Sequence, residues 1–228
     1  VLLDLVAREQ PKIRIRFSTS NPQDMSLDVI HTMAKHKNIC KSIHLPVQSG
    51  SNAILKKMNR QHTREEYFEL IDNIRKLIPD CGISHDMITG FPTETDQDHQ
   101  DTLDLMRHVK YDYGFMFAYS ERPGTMAARK ITDNIPESIK KKRLQEIINL
   151  QREHSDYRTN RFLGKNVTVL IEKPSKKSSD FWSGRTSQNT VVVFPKENYK
   201  VGDFVDVLIK NCTSATLIGS AIDYSKDL

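Results

Sequence analysis

From Lys12 to Thr19 apolar positions alternate with basic ones, Ile13, Ile15 and Phe17 standing between Lys12, Arg14 and Arg16, and period two predicts a strand. Leu27, Ile30 and Met33 then recur at helical spacing, and a second strand is expected over Ser42 to Val47. Ile54, Leu55 and Met58 mark a short helix. A longer one opens on the T-x-x-E capping box of Thr63 to Glu66 and continues through Tyr67, Leu70, Ile71, Ile74 and Leu77. Gly82 to Thr89 is the third strand, a helix carrying Leu103, Met106 and Val109 follows Thr95, and Tyr113 to Tyr119 is the fourth strand. Alternation of strand and helix implies parallel pairing through right-handed crossovers, as an open sheet or an arc of a larger barrel. Pro136 sits where a first helical turn would start, and a long helix runs from it through Leu150 and beyond.

Past Phe162 the period changes. Asn166 to Glu172, Phe181 to Arg185, Thr190 to Phe194, Asp203 to Lys210 and Ala215 to Ile222 are short strand-like runs split by Gly, Ser, Asn and Lys. Five such runs predict a small antiparallel barrel. The expected organisation is α/β, with a partial (β/α) barrel in residues 1–161 and a second, all-β domain in 162–228. No low-complexity linker separates them, so the two parts are expected to pack together.

Composition mostly excludes. The 228 residues are 37% hydrophobic and 28% charged, enough for one good core plus a small second domain. No apolar run approaches the roughly 20 residues needed to cross a bilayer, so a soluble, cytoplasmic chain with no membrane partner is expected. Val1 to Gln10 is amphipathic, lacks the features of a signal peptide and resembles the tail of a helix cut from something longer. Cys40, Cys81 and Cys212 are far apart and form no C-x2-C or C-x3-C-x2-C arrangement, so no metal site is expected and sparse thiols suggest a reducing compartment. The net charge is +5, and between Lys140 and Arg185 twelve Lys or Arg face five Asp or Glu, a local +7. Such a run suits a polyanion, nucleic acid above all, or else is a solvated helix face.

The candidate chemistry lies where strands end. His44-Leu45-Pro46-Val47-Gln48-Ser49-Gly50-Ser51 and Asp86-Met87-Ile88-Thr89-Gly90-Phe91-Pro92-Thr93-Glu94 each read as a buried strand breaking into polar and glycine residues, the place where parallel α/β proteins bind ligands. Gln48 and Asp86 could converge on a ribose diol, and Arg60 could return to grip a ligand carboxylate. Gly50 and Gly90 would let the backbone approach closely. Strand-end turns without a ligand are the alternative. Neither G-x-G-x-x-G nor a P-loop lysine motif occurs, which argues against a plain nucleotide-dependent α/β enzyme.

The segment at His44, together with Met58 to Tyr67 (M-N-R-Q-H-T-R-E-E-Y), Asp86 to Thr95 and Phe117 to Ala128 (F-A-Y-S-E-R-P-G-T-M-A-A), resembles the radical S-adenosylmethionine methylthiotransferases, nearest the MiaB family. The resemblance covers nearly the whole chain. It implies an enzyme that adds a methylthio group to C2 of N6-isopentenyladenosine at position 37 of tRNA, with S-adenosyl-L-methionine and two 4Fe-4S clusters as cofactors. By motif position Gln48 and Asp86 would hold the cofactor ribose and Arg60, twelve residues beyond Gln48, its carboxylate. Ser49 would line the same loop, and the backbone at Tyr119 and Ser120 would flank the adenine. Glu94 is expected to cap the following helix. The all-β part resembles a TRAM domain, an RNA-binding module. Arg185 and Trp182 are its candidate RNA contacts, with Lys176, Lys177 and Lys173 as diffuse phosphate attraction; Trp182 could equally be a core residue.

The chain departs from the family pattern in lacking the C-x3-C-x2-C loop and the N-terminal cysteines that hold the two clusters. What remains resembles the third to sixth strands of the barrel plus the TRAM domain, and the isolated chain is expected to be inactive. Implied partners are the tRNA anticodon loop and a cellular electron donor, with a monomer expected. Two alternatives stay open: a sibling methylthiotransferase acting on threonylcarbamoyl-adenosine in tRNA or on a ribosomal protein, and a non-catalytic RNA-binding module.

Overall fold

The computed structural model describes residues 2–18 and 21–222. Three parallel strands, β1 (Ser42–His44), β2 (Gly82–Thr89) and β3 (Tyr113–Ala118), form a sheet in the order β1-β2-β3. The expected first strand is absent as a sheet member. Its backbone bridges residues 38–40 alone, through Ile15 N–H to Asn38 O at 2.8 Å and Cys40 N–H to Ile15 O at 2.9 Å, with Ile13 N–H turned back onto Gln10 O, while Arg14 and Arg16 hydrogen-bond the all-β part. Thr19, the last residue of that expected strand, lies outside the described residues.

Helices α1 (Leu2–Glu9), α2 (Leu27–Lys35), α3 (Asn52–Lys57), α4 (Arg64–Leu77) and α5 (Asp96–Val109) precede β3. The starts of α4 and α5 are set by capping boxes, Thr63 with Glu66 and Thr95 with Asp98, in which each N-cap hydroxyl and its partner carboxylate satisfy two otherwise orphaned N–H groups. Ile43, Leu45, Val47, Ile83 and Met87 face these helices in one core with Ile30, Met33, Tyr67, Ile71, Ile74 and Met106. The other face of the sheet carries His44, Asp86, Tyr113, Phe115 and Phe117, and the last two rings are 54% and 53% exposed.

After the short α6 (Met126–Lys130), α7 (Glu137–Asn160) crosses the helix side of β2 and β3. It packs through polar groups. Lys140, Arg143, Gln151, Ser155 and Arg158 are buried, and each reaches a partner on another element or the loop before it: Gln151 Oε1 accepts from His85 Nε2 at 2.9 Å, Ser155 donates to Asp112 O at 2.9 Å, and Arg158 and Arg161 both pair with Asp112.

Five strands follow: β4 (Asn166–Pro174), β5 (Phe181–Arg185), β6 (Val191–Pro195), β7 (Phe204–Cys212) and β8 (Thr216–Ala221). They close into a barrel in the order β4-β5-β6-β8-β7 around Val169, Ile171, Val192, Phe194, Val207 and Leu217. The expectation of a wholly antiparallel barrel is corrected at one seam, where β6 and β8 run parallel and Val192 stands opposite Leu217. The barrel sits against the amino-terminal ends of the parallel strands. Lys41 N–H donates to Ser187 Oγ at 3.0 Å, Asn189 Nδ2 donates to Tyr113 Oη at 3.2 Å, and a methyl group at Gly82 would lie 2.5 Å from Gln188 O.

Candidate cofactor and RNA-binding sites

At the opposite, carboxyl end of the sheet the chain leaves β1 through an extra residue. Gln48 rather than Val47 bridges Met87, with Gln48 N–H on Asp86 O and Ile88 N–H on Gln48 O, both 2.9 Å. Gln48 therefore adopts φ = 74°, a left-handed conformation that costs an ordinary residue about 1–2 kcal/mol and concentrates at ligand sites. Gln48 and Arg60 line one cavity of 450 Å³, closed by Met58, Ile88, Phe91 and the segment Thr125–Ile131. The Arg60 guanidinium makes no hydrogen bond or ion pair among the described residues, so this largely apolar cavity contains an uncommitted cation.

Asp86 lies on the open face of β2, paired at its backbone with Gln48. His44 from β1 bridges two β2 side chains, Nδ1 to Ser84 Oγ at 2.9 Å and Nε2 to Asp86 Oδ1 at 3.5 Å. The pair steadies one carboxylate oxygen and leaves the other for a hydroxyl donor. The Gln48 amide and the free Arg60 guanidinium share the cavity and fit the hydroxyl and carboxylate groups of S-adenosyl-L-methionine, whereas the Asp86 carboxylate lies outside the cavity lining. Nothing in the sequence singled out His44 as a partner of Asp86, since the contact depends on register between strands forty residues apart.

Other expected residues are placed differently. Ser49 is fully buried, its hydroxyl 3.4 Å from Thr102 Oγ1 and accepting from Ser51 N–H at 3.2 Å, so its side chain packs the loop on α5 rather than facing the cavity. Gly50 likewise serves helix packing: a methyl group there would stand 2.5 Å from Thr102 Cα. Gly90, at φ = 70°, passes against the Lys140 side chain. Tyr119 donates its N–H to Thr89 O at 2.8 Å, with its ring edge-on to Phe91 at 5.0 Å and Lys140 Nζ 5.6 Å from its centroid; Ser120 is exposed beside it. Glu94 is not the cap of α5, a role filled by Thr95 and Asp98. Buried to 3% exposure, it accepts from Gly90 N–H at 2.7 Å and from Arg143 Nη1 at 2.8 Å, and burial raises its carboxyl above the usual range despite the arginine.

The three thiols do not fit an iron–sulfur cluster. Cys40 and Cys81 are buried, burial raises both, Cys81 to about 12, and no group of three or more His, Cys, Asp or Glu able to hold a metal ion occurs among the described residues.

The basic run between Lys140 and Arg185 is divided: Lys141, Lys142, Arg152, Lys165, Lys173, Lys176 and Lys177 are exposed, and the other five cations are buried or half-buried in ion pairs. Lys140 pairs with Asp133 and Glu137, Arg143 with Glu94 and Asp96, Arg158 and Arg161 with Asp112, and Arg185 with Glu172. Arg185 also donates to Asn189 O at 2.9 Å, so its guanidinium holds the turn between β5 and β6. Trp182 packs partly into the barrel core while Lys196 Nζ lies 4.4 Å from its ring centroid. Lys176 and Lys177 stand exposed on the loop between β4 and β5.

Residues 1–106 match the family model described as the radical SAM superfamily, and residues 160–222 match the TRAM domain. The chain thus contains one segment similar to the radical SAM superfamily and one similar to the TRAM domain. Over 98% of its length it is 70% identical to a protein of Christiangramia forsetii named tRNA-2-methylthio-N(6)-dimethylallyladenosine synthase, and over 99% it is 63% identical to the protein of that name from Flavobacterium psychrophilum. In each case it covers 47% of the relative, so the chain spans about half the length of the curated relatives it matches. Coproporphyrinogen III oxidase (HemN) from Escherichia coli, a radical SAM enzyme, shares the fold with a TM-score of 0.53 at 17% identity, over 82% of this chain and 50% of that one. No helix among the described residues is long and apolar enough to cross a membrane.

Proposed function

We propose that this chain is the cofactor-cradling and RNA-docking portion of a tRNA methylthiotransferase, an enzyme that installs a methylthio group on C2 of N6-isopentenyladenosine at position 37 of the anticodon loop. The convergence of Gln48 and the unpaired Arg60 on one cavity carries the reading, with Asp86 joined to Gln48 through its backbone carbonyl. The similarity to synthases of that name supports the substrate and favours it over the sibling activities and over a non-catalytic module.

In this reading the radical SAM part spans residues 1–161 and the TRAM domain 162–228. S-adenosyl-L-methionine supplies, when bound, the methyl group and the carbon radical of the reaction. The chain's own residues bind and orient: Arg60 neutralises the amino-acid carboxylate, Gln48 and Asp86 fix the ribose hydroxyls, and His44 holds the Asp86 carboxylate in place. Tyr119 and Ser120 close the adenine side. No residue here is assigned to either iron–sulfur cluster, and the isolated chain is therefore proposed to bind without turning over. The TRAM domain, through Trp182, Lys176, Lys177 and Arg185, is the proposed tRNA contact; the electron donor would meet the full-length enzyme, which works as a cytoplasmic monomer.

Titration calorimetry with S-adenosyl-L-homocysteine tests the cofactor assignment on the chain itself. Binding is expected, and Arg60→Ala is expected to weaken it about tenfold, the scale of one charge-assisted bidentate contact. Equal affinity of the two proteins would remove Arg60 from the site, and an absence of binding would remove the cofactor reading.

A further inference from the structure

A second concentration of positive charge lies where the two parts of the molecule meet. A cavity of 800 Å³ opens between residues 11–14 and 37–40 on one side and residues 161–168, 186–188 and Phe204 on the other. Five cations line it, Lys12, Arg14, Lys37, Arg161 and Lys165, against one carboxylate, Asp80. Arg14 and Arg161 are partly committed: Arg14 donates to backbone carbonyls of Arg185 and Thr168, and Arg161 Nη2 pairs with Asp112 at 2.8 Å. Arg161 Nε and Nη1 are buried without a partner. Lys12, Lys37 and Lys165 are exposed and form no ion pair or side-chain hydrogen bond among the described residues. They come from three segments far apart in the chain, so no linear run of charge announces them.

A concave site with several unpaired cations and one acid focuses a positive potential and draws in an anion. The site also has an aromatic floor. Phe204 is 46% exposed inside it, and the Arg14 guanidinium lies 5.0 Å from the Phe204 centroid. Mobile point cations around an exposed ring backed by a guanidinium form the chemistry that grips unpaired nucleic acid, with phosphates on the lysines and a base against the ring. An acidic peptide would use the lysines and leave the ring without a role. The volume suits one or two nucleotides rather than a lone inorganic anion.

We propose that the cleft between the radical SAM part and the TRAM barrel is an RNA-backbone site in which Lys12, Lys37 and Lys165 contact phosphates and Phe204 stacks a base. The inference rests on the RNA-docking reading above and moves the principal contact from Arg185 and the 176–177 loop to this junction.

Fluorescence anisotropy of the chain with a labelled RNA stem-loop, read across a series of salt concentrations, tests it. Replacing Lys12, Lys37 and Lys165 together by Ala is expected to lower affinity at least about tenfold at low salt and to reduce the slope of log K against log salt by about 2, at roughly 0.7–0.9 per phosphate lost. Phe204→Ala is expected to weaken binding about tenfold with the slope unchanged, because stacking releases no counterions. Lys76→Ala, on the exposed side of α4, is the control and should match the unaltered chain. If the unaltered chain binds RNA and the triple variant keeps its slope, the cleft assignment falls while the RNA reading stands. If the unaltered chain binds no RNA, the RNA reading itself falls. Binding of polyglutamate as tight as that of RNA would reassign the cleft to acidic protein partners.

Discussion

At the scale of single residues, His85 shows how a buried titratable group ties stability to pH. It is fully enclosed between β2 and α7, its Nε2–H donating to Gln151 and its ring 4.2 Å from that of Tyr111, and burial lowers its pKa to about 4. The folded chain therefore holds His85 neutral while the unfolded chain protonates it near the ordinary imidazole value. The unfolded state binds more protons between these limits, so the associated stability is complete above about pH 6.5 and is lost as pH falls toward 4, a single-site effect on the order of 3 kcal/mol. Urea titrations over that range are expected to show stability declining with acidity. In His85→Leu the slope against pH, rather than the stability itself, should flatten; an unchanged slope would assign the acid sensitivity elsewhere, His154 being the other histidine lowered to about 4. The residue types of the proposed cofactor site come from the sequence, where motif and spacing name Gln48, Arg60 and Asp86. Their support does not: the left-handed backbone of Gln48 arises from one extra residue between β1 and its bridge to β2, and the His44 to Asp86 contact from strand register, neither of which leaves a local signal.

At the scale of elements, helices whose starts carry side-chain caps were readable to the residue, as at Thr63, because a capping box is a local pattern with a local cause. The contacts of α7 were not. Apart from Ile147 its buried positions are Lys, Arg, Gln, His, Ser and Thr, so the stripe that normally marks a packed face is largely polar, and its buried Lys and Arg read as part of a run of charge. The lesson is energetic: ion pairs on the buried face of α7 are sensitive to losing one partner. Arg143→Ala leaves Glu94 enclosed beside Gly90 with its cation gone, and a loss of about 3–5 kcal/mol is expected in chemical denaturation. Replacing Arg143 and Glu94 together by Met and Gln should recover part of it. A single-variant loss below about 1 kcal/mol would mean that water reaches Glu94.

At the scale of the whole molecule, the division after Phe162 and the count of five barrel strands were visible in the change of period. The parallel seam between β6 and β8 was not, because pairing direction is set by the path of β7 across the barrel and not by composition. The two parts meet through specific hydrogen bonds at the amino-terminal ends of the strands, Ser187 to Lys41, Asn189 to Tyr113, and Arg16 to Asn189. Scanning calorimetry of the chain is expected to give one transition, and Ser187→Ala with Asn189→Gly to split it in two as the barrel melts independently; two transitions in the unaltered chain would show that the junction does not couple them.

That junction lies at one end of the sheet and Gln48 toward the other, beside Met87, five residues along β2 from Gly82 or about 17 Å at 3.3 Å each. The arrangement works as a gauge. In the proposed reading a free nucleoside meets one end or the other but never both, whereas a folded RNA arm is long enough to be held at its stem while its loop reaches the far rim, so reach alone would separate the polymer from its monomers.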